Sequence, residues 1–484
     1  MLALTPAEIA AVVDGVAYAE GVGHRVTRPA FVDSRCPEPD GLFVALAGVH
    51  VDGHDYAVDA VRAGAAGVLC SRRVDTTCVV VVDPVVALGR LAAYVTARLP
   101  CRVVGVTGSQ GKTTTKDLLA EMLEGHGPTV ASRGSYNNEL GVPLTALRAD
   151  EQTRYLVVEM GARGQGHIGY LAGLVRPDVA LVLNVGLAHV GEFGTRQDIA
   201  RAKGELVAAL PGDGLAVLNA DDDLVRSMAE RTSAPLLWFG ASSEADVRVS
   251  DVELDAQGRP HFTLTTPGGV AAVAMQLLGE HQAHNAVAAA AVAFALGVST
   301  EAIATTLSGA RPRSAARMEV HERTDGVTVV NDAYNANPDS MQAALKTLAA
   351  LGAGGRRTVA VLGEMRELGA VSRESHEAIG RLAVRLGLAQ LVVVGEGARP
   401  LHLGAAGAGS WDGESVFVPD VDAASRFLEA GLRAGDVVLV KASQAARLDR
   451  VATALLSPSS VIRPLGRPGD PAVGLPTATD GPGR

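Results

Sequence analysis

The chain has 484 residues, 48% of them hydrophobic and 20% charged, and a formal net charge of −10. That length exceeds what one hydrophobic core supports, so several domains are expected. The acidic balance and an aromatic content of 4% argue against a nucleic-acid binder, which would show a basic surface and stacking rings, and against an anionic membrane surface.

Cys36, Cys70, Cys78 and Cys101 show no C-x-x-C spacing. Neither a thiolate metal site nor a disulfide framework is expected, which suits a reducing compartment. The N-terminus, MLALTPAEIAAVVDG, carries Glu8 and Asp14 where a secretory leader would be basic. The longest apolar run, 286–298, falls short of the roughly 18 residues that a spanning helix needs. The expectation is a cytoplasmic protein that is not embedded in a membrane.

A first block, 1–98, opens with a helix that Thr5 can cap. It continues through short strands at 42–46, 67–70 and 78–83 to a helix at 84–99, and Pro100 marks its end. The second block, 99–314, begins with the strand 102–108 and has further strands at 155–160 and 179–185. Antiparallel hairpin material at 245–266 precedes the alanine-rich helix 281–296. The third, 315–457, alternates strands at 327–332, 357–365, 391–396 and 436–443 with helices, which predicts a second parallel, Rossmann-like sheet without a G-x-G-x-x-G loop. Residues 458–484 are rich in proline and glycine with no hydrophobic period, and disorder is expected there. The fold class is therefore α/β in three domains: a small α/β domain, a central P-loop-type parallel-sheet domain, and a Rossmann-like C-terminal domain.

The stretch 104-VGVTGSQGKTTTKDLL-119 has Gly111-Lys112-Thr113 in the order of a phosphate loop. The usual G-x-x-x-x-G-K-[ST] spacing would want glycine where Val106 stands. A strand before it and a helix after it still provide what phosphate needs: amide N–H groups, a helix N-terminus, a lysine and a hydroxyl. Glu159 ends the next strand, where it is either a magnesium ligand or a solvated carboxylate. His189 ends another, as a second metal ligand or a loop hydrogen-bonder. Lys203 sits in a helix and would by itself be read as solvated. Asn285 opens the alanine-rich helix as a cap or a purine contact. Asp332 and the polar string 331-NDAYNANPDSM-341 end a strand of the third block, where ligand binding and plain turn chemistry are both open.

Together these stretches resemble the Mur ligases, ATP-dependent amide-forming enzymes of peptidoglycan precursor synthesis. The resemblance runs in order from Asp33 to Val451. It is carried by TGSQGKTTT, 33-DSR-35, 41-GLFVALAGVHVDGHDY-56, 137-NNELGVP-143, 159-EMGA-162, 184-NVGLAHVGEFG-194, 201-RAKGE-205, 331-NDAYNANPDSM-341 and 361-VLGEMRELG-369. The sharpest of these strings point to the branch that joins D-alanyl-D-alanine to a UDP-N-acetylmuramoyl tripeptide.

The resemblance also explains the loop, because the family uses a shortened G-[ST]-x-G-K-[ST] form that Gly108 opens. It implies that Gly108, Ser109, Gly111, Lys112, Thr113 and Thr114 hold ATP, with Lys112 on the β- and γ-phosphates. Asn285 would contact adenine, Arg317 the phosphates and Asp332 the ribose. Thr113 and Glu159 would bind one Mg²⁺, and His189 a second. Lys203 would be carbamylated by CO₂ and help hold metal. Lys112, His189 and Lys203 would form the catalytic set. Ser34 and Arg35 would hold the UDP moiety in a substrate-binding first domain, and Asn137, Asn138, Asn335 and Asn337 would line substrate loops. A monomer is implied.

There are departures from the family pattern. Asn331-Asp332 replaces what is often an acidic pair, and 441-KASQAARLDRV-451 lacks the glycine common after the lysine, so Lys441 and Arg447 receive no role. The rival readings are another Mur-type or folylpolyglutamate synthase-like ligase, which would lack NANPDSM and the DSR and DGHDY strings, and a non-catalytic nucleotide-binding module. The latter would be expected to lose Lys112, Glu159, His189 or Lys203, and all four are present.

Overall fold

A computed structural model describes residues 1–18, 25–188, 190–409 and 414–457. Among these residues the strands form three sheets, each drawn from its own stretch of chain. The first runs in the order Val16–Tyr18, Cys78–Val80, Gly67–Cys70, Leu42–Val44, Ala30–Phe31. It is parallel except where Val16–Tyr18 pairs with Cys78–Val80.

The helix Pro84–Thr96 starts where the Asp83 carboxylate accepts the amide of Val85 at 2.8 Å. Proline at its first position sacrifices an N–H that has no helical partner anyway. Its buried face, Leu88, Leu91, Ala92 and Val95, belongs to one apolar cluster with Val142, Leu144, Leu171 and Leu174 of the second block, so the first two cores are continuous.

The second sheet has nine strands. Arg102–Thr107 lies between Tyr155–Glu159 and Val179–Val182, parallel to both. The chain runs from that strand to one side, returns to Tyr155–Glu159 and then crosses over to Val179–Val182 on the other side, so the strand order reverses there and a crevice opens beyond the carboxyl ends. The helix Lys112–Glu124 covers this sheet together with His281–Ala295. Ala286 and Ala288 to Ala291 are fully buried in the latter. Their small side chains allow the close approach, and larger ones would overpack it at about 1–3 kcal/mol each. The hairpin expected at 245–266 is present as Val247–Leu254 and Pro260–Thr266, extended by Gly269–Ala274.

The third sheet runs Glu319–Glu322, Thr328–Asp332, Val437–Lys441, Thr358–Leu362, Gln390–Val394, Ser415–Val418. It is not wholly parallel as the pattern predicted, because Glu319–Glu322 pairs antiparallel with Thr328–Asp332. The connection is a short turn with Gly326 at φ 83, too short for a parallel crossover. This edge strand, EVHE, lacks a buried face, which is why its pattern did not read as sheet.

The second and third cores also meet. Val182, Val185 and Val190 share a cluster with Met341, Leu345, Leu348 and Leu368, each large side chain contributing about 1.5–3 kcal/mol. No helix among the described residues is long and apolar enough to cross a membrane.

Candidate active site

The carboxyl ends of the second and third sheets face a cleft of about 1240 Å³, and Val32, Asp83, Val85 and Val86 bring the first block to its rim. Strand Arg102–Thr107 delivers the phosphate loop to its floor. Gly111 has φ 80, a left-handed turn that favours glycine, and a Cβ there would push Asn285 Oδ1 out of its place above the loop. Asn285 itself donates to Gln282 Oε1 at 2.8 Å. Lys112 folds back so that Nζ donates to the Gly108 carbonyl at 2.7 Å. Burial lowers its pKa, partly opposed by the nearby Glu159 charge.

Thr113 donates its hydroxyl to Glu159 Oε2 at 2.9 Å, and Asn137 Nδ2 donates to Glu159 Oε1 at 2.8 Å. Glu159 is 1% exposed, yet among the described residues both its side-chain partners are neutral. Arg317 Nη2 reaches the same corner, donating to Ser135 Oγ at 2.8 Å and Thr113 Oγ1 at 3.2 Å. Its guanidinium lies 4.2 Å from the Tyr334 ring centroid. The linker that carries it is fastened along the Lys112–Glu124 helix by Ser314 to Asp117 at 2.7 Å and Arg313 to Glu124 at 2.7 Å. Ala316 and Met318, on either side of Arg317, adopt φ 55 and 51, a strained conformation at about 1–2 kcal/mol per residue.

Lys203 opens onto the same cleft and is 6% exposed. Its pKa lies well below that of a free lysine, first through burial and then through the charge of Lys112. Among the described residues no carboxylate pairs with it. A neutral amine is the form that adds to CO₂, so this environment favours that chemistry over a solvated ammonium.

On the opposite wall Asp332 accepts from Lys441 Nζ at 2.6 Å and from the Met318 amide at 3.1 Å. Lys441 also donates to the Asn335 carbonyl at 2.8 Å. Asn335 and Asn138 are exposed at the cleft. Asn337 is buried and serves as a helix cap, its Oδ1 accepting the Ser340 amide at 2.9 Å. Ser109 and Thr114 line the cleft as well.

Ser34 and Arg35 do not. They form a surface turn beside Val32, where Arg35 grips Asp33 at 2.8 and 2.9 Å and holds that carboxyl down to about 2. His189 and residues 458–484 lie outside the described residues.

Three contributors received no role from the sequence, Lys441 among them because its motif departs from the family pattern. Asn184 Oδ1 accepts the amides of Ser109 and Gln110, both at 3.1 Å, and so shapes the phosphate loop. Ser135 links Arg317 to Thr113. Lys441 neutralises Asp332. Asn184 heads the NVGLAH string, and its place at a strand end beside the loop was the available signal.

Comparison with known proteins matches this arrangement across the chain. Models of the Mur ligase family, catalytic domain, of the Mur ligase middle domain and of the Mur ligase, glutamate ligase domain fit residues 31–98, 106–293 and 316–444. The UDP-N-acetylmuramoyl-tripeptide–D-alanyl-D-alanine ligase of Mycobacterium tuberculosis H37Rv is 46% identical over 94% of this chain and 98% of its own. The chain belongs to the Mur ligase family.

Solved structures agree with that placement. MurF from Acinetobacter baumannii superposes with a TM-score of 0.82 at 32% identity, covering 94% of this chain and 98% of that one. MurF ligase from Thermotoga maritima, solved in complex with ADP, gives 0.75 at 30% identity over 89% and 97%. Members of this Mur ligase family generally use ATP and Mg²⁺, and the corner built from Lys112, Thr113 and Glu159 fits both: amide donors and a lysine for phosphate, and for metal a buried carboxylate whose direct side-chain partners among the described residues are neutral.

Proposed function

We propose that the chain is an ATP-dependent ligase that joins D-alanyl-D-alanine to UDP-N-acetylmuramoyl tripeptide in peptidoglycan precursor synthesis. The observation that carries the choice of substrates is the full-length identity to relatives bearing that name. The cleft supports the reaction class, because phosphate loop, Glu159, Lys203 and the third-sheet wall all face one space that the first block rims. The working units are taken as 1–98 for the UDP-linked substrate, 99–314 for ATP and 315–457 for closure and the incoming dipeptide, with 458–484 as a tail.

In this reading the tripeptide carboxylate attacks the γ-phosphorus of ATP. An oxygen–phosphorus bond forms, the bond to the β-γ bridging oxygen breaks, and ADP leaves an acyl phosphate. The dipeptide amine then attacks the acyl carbon, a carbon–nitrogen bond forms, the carbon–oxygen bond to phosphate breaks, and the amine's surplus proton passes to the departing phosphate or to solvent. Two anions must approach each other first, so Lys112 and the loop amides carry the phosphate charge. Thr113 and Glu159 would hold one Mg²⁺, with His189 and carbamylated Lys203 serving a second. Bound there, the ions supply charge neutralisation between carboxylate and phosphate. Asn285 roofs the loop for the adenine side, Arg317 exchanges its hydroxyl partners for phosphate, and Asp332 receives the ribose. Ser34 and Arg35 take the UDP end, at the rim beside Val32. Domain docking excludes water that would hydrolyse the acyl phosphate.

The test is phosphate release with ATP, Mg²⁺, the UDP-muramoyl tripeptide and D-alanyl-D-alanine. Release should require both peptide substrates; ATP turnover indifferent to them would overturn the assignment.

A further inference from the structure

We propose that Asp339 is a positioning residue that couples docking of the third domain to the phosphate loop, acting through Gly186 and Leu187. The inference rests on reading the chain as an ATP-dependent ligase and adds a residue to which that reading gives no role.

Asp339 lies in the first turn of the helix Pro338–Gly352, where the helix N-terminus favours its charge. Its Oδ2 crosses to the second domain and accepts the Leu187 amide at 3.2 Å. A Cβ at position 186 would collide with the same oxygen, so the carboxylate would have to swing away from any larger residue there. The Gly186 amide in turn donates to Ser109 Oγ at 2.9 Å, inside the phosphate loop. Asn184, two residues earlier, holds the Ser109 and Gln110 amides. An unbroken path of hydrogen bonds and adjacent residues thus runs from the third domain into the loop that binds phosphate.

A second contact fixes the same connection from its other side. The Gly191 amide donates to the Glu367 carbonyl at 2.9 Å. A Cβ on Gly191 would lie 2.4 Å from the Gly369 nitrogen and 2.8 Å from the Leu368 carbonyl carbon. Both obstacles are backbone, with no flexible side chain to give way. Glu367 at φ 63 is left-handed without being glycine, a conformation that needs support from its surroundings. The two contacts give the docked arrangement a defined register, so that docking sets the phosphate loop and does more than exclude water.

The experiment uses the full chain and three variants, Asp339→Ala, Asp339→Asn and Gly191→Ala. Three quantities are measured: steady-state kcat and KM, ADP affinity by titration, and small-angle scattering with ADP and Mg²⁺. Asp339→Ala should lower kcat about 10- to 100-fold, the range expected for a misplaced reacting group, and leave ADP affinity within about twofold, since phosphate donors stay in place. Its scattering should show a larger radius of gyration than the parent. Asp339→Asn keeps an acceptor oxygen and should recover most of kcat. Gly191→Ala should expand the particle by its steric route. Parent-like compaction in Asp339→Ala, or an asparagine variant as impaired as the alanine one, would overturn the proposal. The scattering arm needs no peptide substrate, so it decides the coupling even if the dipeptide proves not to be the substrate.

Discussion

Two buried carboxylates face the same cleft from the ends of parallel strands, and they are finished differently. Glu159 is met by a threonine hydroxyl and an asparagine amide, with no cation in ion-pair contact among the described residues. Asp332 is met by the ammonium of Lys441 at 2.6 Å. Burying a charge without a partner is costly, several kcal/mol even after relaxation. A site that keeps one is prepared for a cation that arrives from outside. A site that has its own lysine is complete and offers shape and hydrogen bonds. The first arrangement suits a metal-assisted phosphoryl transfer, and the second a wall that receives a neutral sugar hydroxyl.

The contrast predicts opposite outcomes for two substitutions. Glu159→Gln keeps volume and hydrogen bonding but removes the charge. Turnover should fall about 10⁴-fold, or about 5 kcal/mol of transition-state stabilisation, while the unfolding midpoint holds or rises because a buried charge has gone. Lys441→Met should do the reverse. It strands Asp332, and denaturant unfolding should show a loss of about 3–4 kcal/mol. The double variant Lys441→Met/Asp332→Leu should recover most of that stability, since replacing both members removes the stranded charge. A stable Lys441→Met would mean that Asp332 finds another partner, and the comparison between the two carboxylates would lapse.

The legible part of this site was the part that is contiguous in sequence. The phosphate loop is one short contiguous stretch with strand before and helix after, so its type could be read despite Val106. Glu159 was legible because a parallel strand's end is a known address. Lys441 was not, because its partner stands 109 residues away and its own motif departs from the family pattern. Asn184 and Ser135 were hidden for a related reason: their importance lies in which backbone amides and hydroxyls they meet, and spacing does not encode that. The edge strand Glu319–Glu322 escaped because an edge has no two buried faces to imprint a pattern. Ser34 and Arg35 lie in a surface turn beside the cleft, a placement that the DSR string does not encode.

Lys203 sharpens the comparison from the cation side. Like Glu159 it is buried and has no ion-pair partner among the described residues, but a lysine can change its charge. If CO₂ converts it to an anion, Lys203→Ala should lose about 10²-fold in kcat, or about 2.7 kcal/mol, and regain part of it when formate or acetate is added. Recovery with added short amines in place of carboxylates would show that the residue acts as a cation.

The smallest expected effect separates two asparagines in one string. Asn337 is buried and caps the helix Pro338–Gly352, and its own amide donates to Ser340 Oγ at 3.0 Å. Asn335 is exposed on the cleft, and what it gives Lys441 is its backbone carbonyl. Asn337→Ala should therefore cost about 1 kcal/mol of stability, the usual value for a lost N-cap, and leave the KM for the dipeptide within twofold. Asn335→Ala should shift the unfolding curve by less than the cap variant, because only the neighbouring Ala336 amide loses its side-chain acceptor at 2.8 Å, and should raise the KM for a peptide substrate. Both variants fold in this scheme, so paired melting curves and KM values distinguish the cap from the contact; a reversed pair of results would exchange their roles.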